Sequence, residues 1–349
     1  MDAQRDETDP MIFQNVTIET VAYELAPHVI TSASIEAQLS STMNRIGLEK
    51  GLIEKLTGIR ERRFWAPGVM PSEVATRAAE KALASSGIER GKMGCLLSTS
   101  VCKDYIEPSV ASLVHGNLQL PSTCMNYDIG NACLGFINGM FSLCLMIEAG
   151  VIQYGIIVDG EGSREAIEAT IERLRQDGVD DKAFRRNFAT LTLGSGAVAM
   201  ILCHRDLSRT GHCIDGAVTR AATQHSRLCL GQPHEMLADA HGVLVHGVEL
   251  AHETWQAAEK ELPEWSDGKL DLYAPHQVSA RNMEVLNATL GLDPDKSYLN
   301  YMTLGNIGPA AVPITLAMAE EDGRIENGDR IGLLGIGSGL NCSMMRVSW

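Results

Sequence analysis

MNYDIGNACLGFINGMFSLCLMIEAGVIQYGIIVDG (residues 125–160) and LNYMTLGNIGPAAVPITLAMAEEDGRIENGDRIGLLGIG (residues 299–337) follow one plan. Each opens on an Asn-Tyr pair, at Asn126 and Asn300. Each continues through a helical stretch with little or no charge, passes a glycine and ends in an apolar strand. Cys133 to Gly150 is 17 positions, and Asn306 to Gly323 is also 17. A duplicated βαβ-type unit gives this agreement of spacing, dipeptide and helix character. Helices that are apolar all round are buried, so the two read as a central pair with a sheet on either side. Pseudo-twofold packing would bring Cys133, the end of strand 269–275 and Asn306 to one place.

Ile129 to Ile147 carries no charge over 19 residues, which meets the length of a bilayer-spanning helix. It contains Asn131, Asn138 and three glycines, and no basic flank follows it. The expectation is a buried central helix, not a transmembrane one.

Strands and helices alternate along the rest of the chain, the signature of α/β layering. Strands are expected at 94–101, 155–160, 190–203, 269–275 and 330–337. Helices are expected at Pro71–Ser86, Glu235–Leu262 and Ser279–Leu290. Charged residues at 161–188 interrupt the first repeat and read as a helical insertion able to cap a substrate channel.

The 29 Lys and Arg against 44 Asp and Glu give a net charge of −15, which excludes a protein built to hold nucleic-acid phosphates. A 45% hydrophobic content with 21% charged residues excludes disorder over most of the chain. The nine cysteines are odd in number and form no CxxC. They read as reduced thiols of a cytoplasmic protein, with no disulfide frame and no metal site. MDAQRDETDP at the start is acidic and lacks an apolar signal segment. Residues 1–10 are expected to be a disordered tail.

Four residues and one glycine-rich run stand out chemically. Cys133, in GNACLGF, falls at the start of the first central helix, where unpaired N–H groups and the helix dipole favour a thiolate. A thiolate attacks thioester carbonyls, although most free cysteines are small core residues. Among ten histidines, His276 alone ends a predicted strand, where α/β sheets collect ligands; taken alone it reads equally as a packing residue. Asn306, in LGNIGPAAVP, suits a helix N-cap and also a donor to a thioester oxygen. Glu107, just before a predicted helix, fits a dipole-favoured carboxylate or a general base. GIGSGLN, 335–341, follows a strand, and its glycines let backbone N–H groups approach an oxyanion. With no helix predicted after it, this is not a dinucleotide fingerprint.

Together, Cys133, His276 and Asn306 resemble the Cys-His-Asn triad of ketoacyl-ACP synthase III-type enzymes in the thiolase superfamily. TGIRERR (57–63) resembles that group's early motif. MIFQNVTI, DYIEPS, NACLGFINGM, TLTLGSGA, HQVS, GNIGPAAVPI and GDRIGLLGIGSGLNCSM are similar to the branch serving bacterial long-chain olefin biosynthesis, the OleA family. The resemblance runs from about Phe13 to Trp349. It implies a thiolase fold, a duplicated αβαβα five-layer arrangement with two central buried helices. The halves would be an N-terminal repeat at 11–205, with a cap insertion at 161–188, and a C-terminal repeat at 206–349. It implies non-decarboxylative Claisen condensation of two long-chain acyl-CoA molecules into a 2-alkyl-3-ketoacyl product, the first step toward an olefin or a β-lactone. A decarboxylative synthase using a malonyl thioester is the alternative.

By motif, Cys133 carries the first acyl chain. His276 and Asn306 hold the thioester oxygens, and the backbone N–H groups of Cys133 and Ser338 form the oxyanion hole. Glu107 is donated across a homodimer interface as base. No cofactor is implied beyond the CoA of the substrates, and downstream pathway enzymes are possible partners. The CoA-stacking tryptophan of the synthases is replaced near Leu52, and Cys342 follows the final glycine run instead of preceding it. Arg60, Arg62, Arg63, Arg185 and Arg186 are candidate cations for CoA phosphates, each also readable as a solvated charge.

Overall fold

The computed structural model describes residues 11–349, so the expected disordered tail at 1–10 lies outside the described residues. Two strands meet at the middle of the main sheet, Val16–Leu25 and His212–Ala221, paired antiparallel at Thr17–Cys213 and Ile18–His212. Outward from Val16–Leu25 come Gly196–His204 and Tyr154–Glu161, both antiparallel, then Cys95–Ser98 and Met125–Asp128, both parallel. Outward from His212–Ala221 come Asn341–Ser348 and Arg330–Gly337, both antiparallel, then parallel Leu272–Pro275 and a parallel bridge from Tyr273 to Ser297. The same order of pairings occurs twice, as a duplicated unit requires. With Met11–Ile12 on its flank, the sheet has ten strands.

Strand alternation produces the layers. In Tyr154–Glu161, Ile157 packs in the central core, while Ile156 and Val158 pack with Val74, Ala75, Ala78, Ala79 and Ala82 of the outer helix Pro71–Ser86. In Asn341–Ser348, Met345 and Val347 face the centre, while Cys342 and Met344 meet Leu250, Trp255 and Ala258 of the outer helix Ala240–Glu261. The centre holds the helices Gly135–Glu148 and Ala311–Glu321. Phe136, Ile137, Met140, Leu143 and Ile147 of the first share one cluster with Val312, Ile314, Leu316 and Ala319 of the second. Burial of each large side chain contributes roughly 1.5–3 kcal/mol. Among the described residues, no helix is long and apolar enough to cross a membrane.

Two boundaries differ most from the sequence reading. Residues 190–192 belong to a 3₁₀ turn, and the strand begins at Gly196; Thr190 is held by its hydroxyl bond to Met236 O, and Leu193 pairs with Asn306. Glu235–Ala238 is a strand paired with Cys229–Gln232, not helix. The helix starts at Ala240 because the Asp239 side chain caps the N–H of Gly242. Within the stretch read as an insertion, helices Arg164–Leu174 and Asp181–Asn187 bury Ile167, Ile171, Leu174 and Phe184 against Ile35, Leu39, Met43 and Ile53.

Candidate active site

Cys133 lies in a single 3₁₀ turn, Ala132–Leu134, that leads into the first central helix. Ala132 has φ 45, a left-handed conformation that costs a residue with a Cβ roughly 1–2 kcal/mol. Surrounding bonds hold the turn. Asn131 Nδ2 donates to Asn138 Oδ1 at 2.7 Å, and Asn341 Nδ2 donates to Asn131 Oδ1 at 3.2 Å. The last strand runs directly against it: a Cβ on Gly337 would lie 3.1 Å from both Asn131 O and Leu134 N. Ser338 is the next residue in the chain. No hydrogen bond among the described residues uses the Ser338 N–H.

The thiolate expected at Cys133 is not the resting state. Burial, then the charges of Glu161, Cys229 and Asp159, push the thiol up to about 12, and its own backbone N–H offsets only part of that. The turn is half-buried, and the hydration a charged sulfur loses there outweighs what the helix start returns.

His276 follows strand Leu272–Pro275 and is 7% exposed. Its N–H donates to Leu334 O at 2.7 Å. Burial lowers the imidazole to about 4, against a smaller opposing effect of a hydrogen bond with the Gly308 backbone. The ring is neutral near pH 7, and Nδ1 has no partner.

Asn306 is pinned on three sides. Its N–H donates to Thr192 O at 2.9 Å, its carbonyl accepts from Gly194 N–H at 2.8 Å, and its Oδ1 accepts from Gly308 N–H at 3.0 Å. The side chain therefore holds the first N–H of the turn Gly308–Ala310 from one position before its N-cap, Ile307, and does not cap the following helix. With the oxygen occupied, the amide Nδ2 is the group left to donate. Two glycines permit this approach. Gly305, at φ 68, leaves no room for a Cβ beside Thr192 O, and a Cβ on Gly194 would lie 1.8 Å from Leu304 O.

The turns Ala132–Leu134 and Gly308–Ala310 pack against each other. Cys133 from the first half thus shares one place with the His276–Gly308–Asn306 group from the second. Glu107 stands apart within the single chain: it is exposed, in the segment between Cys95–Ser98 and Val110–Asn117.

Two acids absent from the sequence reading adjoin the cluster. Asp159 and Glu161 are buried at the end of strand Tyr154–Glu161, and both act on Cys133. Burial raises Glu161 to about 7 and Asp159 well above the usual carboxylate range. Their signal was present in YGIIVDGE, two acids two residues apart closing an apolar strand.

The cations divide. Arg62 is fully buried, donating to Ser32 Oγ at 3.0 Å and to Leu191 O at 3.0 Å, so it braces the core and is lost as a phosphate ligand. Arg185 pairs with Asp181, whereas Arg60 and Arg186 are exposed. A surface depression of about 530 Å³, lined by Met283, Asn287, Leu292 and Tyr301, does not include the Cys133 cluster. Among the described residues, no group of His, Cys, Asp and Glu is placed to hold a metal ion.

The family described as 3-Oxoacyl-[acyl-carrier-protein (ACP)] synthase III C terminal matches residues 261–349. Over 339 residues the chain is 44% identical to the acyl-CoA:acyl-CoA alkyltransferase of Xanthomonas campestris pv. campestris, spanning 97% of this chain and 100% of that one. It is 37% identical over 353 residues to the enzyme of the same name from Shewanella oneidensis, with 97% and 100% covered. A crystal structure of a Cys-to-Ser Xanthomonas campestris OleA with bound lauric acid and lauroyl-CoA superposes with a TM-score of 0.95, at 43% identity, covering 97% of this chain and 100% of that one.

Proposed function

The chain belongs to the OleA family of acyl-CoA:acyl-CoA alkyltransferases, and on that premise we propose that it joins two long-chain acyl-CoA molecules without decarboxylation. The observation that carries the reading is the meeting of the Cys133 turn with the turn held by His276 and Asn306.

In the proposed sequence, the Cys133 sulfur attacks the carbonyl of the first acyl-CoA, the new C–S bond replaces the bond to CoA, and the thiol proton ends on the departing CoA sulfur. The N–H groups of Cys133 and Ser338 face the oxygen that becomes negative; one such donor typically contributes about 10²–10³-fold. The second acyl-CoA loses its α-proton to Glu107 of a second copy, general-base help worth roughly 10²–10⁴-fold. His276 and Asn306 donate to the enolate oxygen. A neutral imidazole and an amide can do so without burying a positive charge. The carbanion then attacks acyl-Cys133, a C–C bond forms and the Cys133 sulfur departs. Hydrolysis of the remaining thioester releases CoA and the β-keto acid.

The second copy is argued from the sheet edge. Met125–Asp128 is the terminal strand, with its outer side unpaired, and Met125 and Tyr127 are exposed, as are Tyr105 and Ile106 nearby. Exposed apolar edges of this kind invite pairing. A twofold mate placed there would receive the Glu107 segment. The free cysteines fit a reducing compartment, and we place the enzyme in the cytoplasm. The condensation calls for no cofactor beyond CoA.

Incubation with myristoyl-CoA alone tests the reading. Free CoA should appear, with a ketone from spontaneous decarboxylation of the β-keto acid. CoA released only after addition of a malonyl thioester would instead establish the decarboxylative alternative. Glu107→Ala should retain the acyl adduct on Cys133, seen by mass spectrometry, and lose the ketone.

A further inference from the structure

The strand Tyr154–Glu161 ends in a pair of acids that the condensation above does not use. By the alternation that sends Ile157 to the central core, Asp159 and Glu161 face the same layer. Asp159 Oδ2 accepts from Thr99 Oγ1 at 2.6 Å, and its Oδ1 has no partner. Glu161 accepts the N–H of Val101 at 2.6 Å and that of Cys102 at 3.4 Å. Those two residues begin the segment that carries Glu107. On its other side Glu161 lies against Gly308, where a Cβ would sit 3.6 Å from its Cδ. Gly308 is the residue whose N–H Asn306 binds and whose backbone meets His276, and its turn packs on the Cys133 turn. One carboxylate thus joins the base of the Glu107 segment to the turn that holds the thioester donors.

We propose that Glu161 is a positioning residue of the condensation, tying the base of the Glu107 segment to the Gly308 turn with its carboxylate beside the Cys133 turn. The proposal rests on Cys133 being the acylated residue.

The charges around the pair are one-sided. Glu161 and Asp159 act on Cys133 from the strand and Cys229 from the hairpin, with His276 neutral. Asp159, Cys102 and Cys133 surround Glu161, and no cation among the described residues acts on it. Burial raises both acids, Glu161 to about 7 and Asp159 well above the usual carboxylate range, so Glu161 ionises around neutrality. An ionised Glu161 repels a thiolate.

Glu161→Gln keeps the size and removes the charge. Alkylation of Cys133 by iodoacetamide at pH 8 should become about tenfold faster, one pH unit of thiolate population. Acylation by myristoyl-CoA should be at least as fast as in the wild type. Ketone formed per acylated enzyme should fall about 10²-fold, the scale of an ångström-level misplacement. Asp159→Asn, which removes a smaller influence on Cys133 than Glu161 exerts, should shift the alkylation profile less. An unchanged profile in Glu161→Gln, or an equal shift in Asp159→Asn, overturns the proposal. If Glu161→Gln does not fold, Glu161→Asp substitutes for it: the charge persists but withdraws from Val101, so condensation slows while alkylation keeps its wild-type pH dependence, and an unslowed condensation overturns the proposal. The alkylation assay needs no acyl-CoA, so a wild-type enzyme that fails to condense would sink the proposed function and leave this result readable.

Discussion

Gly194→Ala is the substitution that probes most directly how the two halves assemble the site. The added methyl would lie 1.8 Å from Leu304 O, against about 3.3 Å for the closest ordinary carbon–oxygen contact. The shortfall is roughly 1.5 Å, and the obstacle is backbone, so no side-chain rotation relieves it. Segment 192–194 and segment 304–306 must separate. That movement strains both bonds between them, Gly194 N–H to Asn306 O at 2.8 Å and Asn306 N–H to Thr192 O at 2.9 Å. Overpacking typically costs about 1–3 kcal/mol, and each weakened buried hydrogen bond adds roughly 1 kcal/mol. A loss of about 3–5 kcal/mol is expected by urea unfolding.

Asn306 is carried along with the displaced segment, whereas the Cys133 turn is held separately through Asn131, Asn138 and Asn341. The expected enzyme therefore still acquires a myristoyl adduct on Cys133 but releases ketone about 10²-fold more slowly. Gly268→Ala is the control: a Cβ there meets nothing within 4 Å, so stability should stay within about 0.5 kcal/mol. Wild-type stability and wild-type ketone release in Gly194→Ala would refute the argument that this close approach positions Asn306.

Two further outcomes are expected. Met125→Asp with Ile106→Asp, on the exposed sheet edge, should give a monomer by light scattering that still accepts one acyl chain yet makes no ketone; a fully active monomer would remove the second copy from the mechanism. His276→Gln should flatten the acid side of the stability curve. The wild-type imidazole sits at about 4 when folded against 6.5 unfolded, so its contribution is fully present above 6.5. It is lost as pH falls through that interval, by about 3 kcal/mol in all. Urea titrations at pH 7 and pH 5 compare the slopes, and an unaltered slope in the variant would show that folding does not lower the His276 imidazole.

The duplicated plan was legible because a charge-free helix has one stable location in an aqueous protein, the interior, and because the two copies keep the same 17-residue spacing. Cys133, His276 and Asn306 were legible as a set through the family resemblance; singly, each had an ordinary reading. The charge state of Cys133 was not. Sequence gives the helix start, which favours a thiolate, but not the burial and the two acids that outweigh it. Arg62 failed as a phosphate candidate because TGIRERR shows a run of cations without showing that residue 62 turns inward to Ser32 and Leu191. The strand Glu235–Ala238 was hidden because its apolar spacing runs on smoothly into the helix behind it, and only the Asp239 cap separates the two.

The charge-free central layer and the shifted site groups have one physical cause. Removing water makes every isolated charge expensive, so near neutral pH Cys133 rests as a thiol and His276 as a neutral ring. The same dryness strengthens each hydrogen bond offered to a charge that appears during reaction. An acyl-CoA α-carbanion needs that environment, because water would reprotonate it before it met the second carbonyl. Uncharged donors suffice there, and a fixed cation would itself need a buried partner. A site tuned in this way should tolerate exchange of Asn306 for another neutral donor better than exchange for a lysine. Asn306→Gln should therefore retain measurable ketone formation from myristoyl-CoA, and Asn306→Lys should abolish it while leaving the Cys133 adduct; the reverse ranking would refute the account of a site that works by excluding charge.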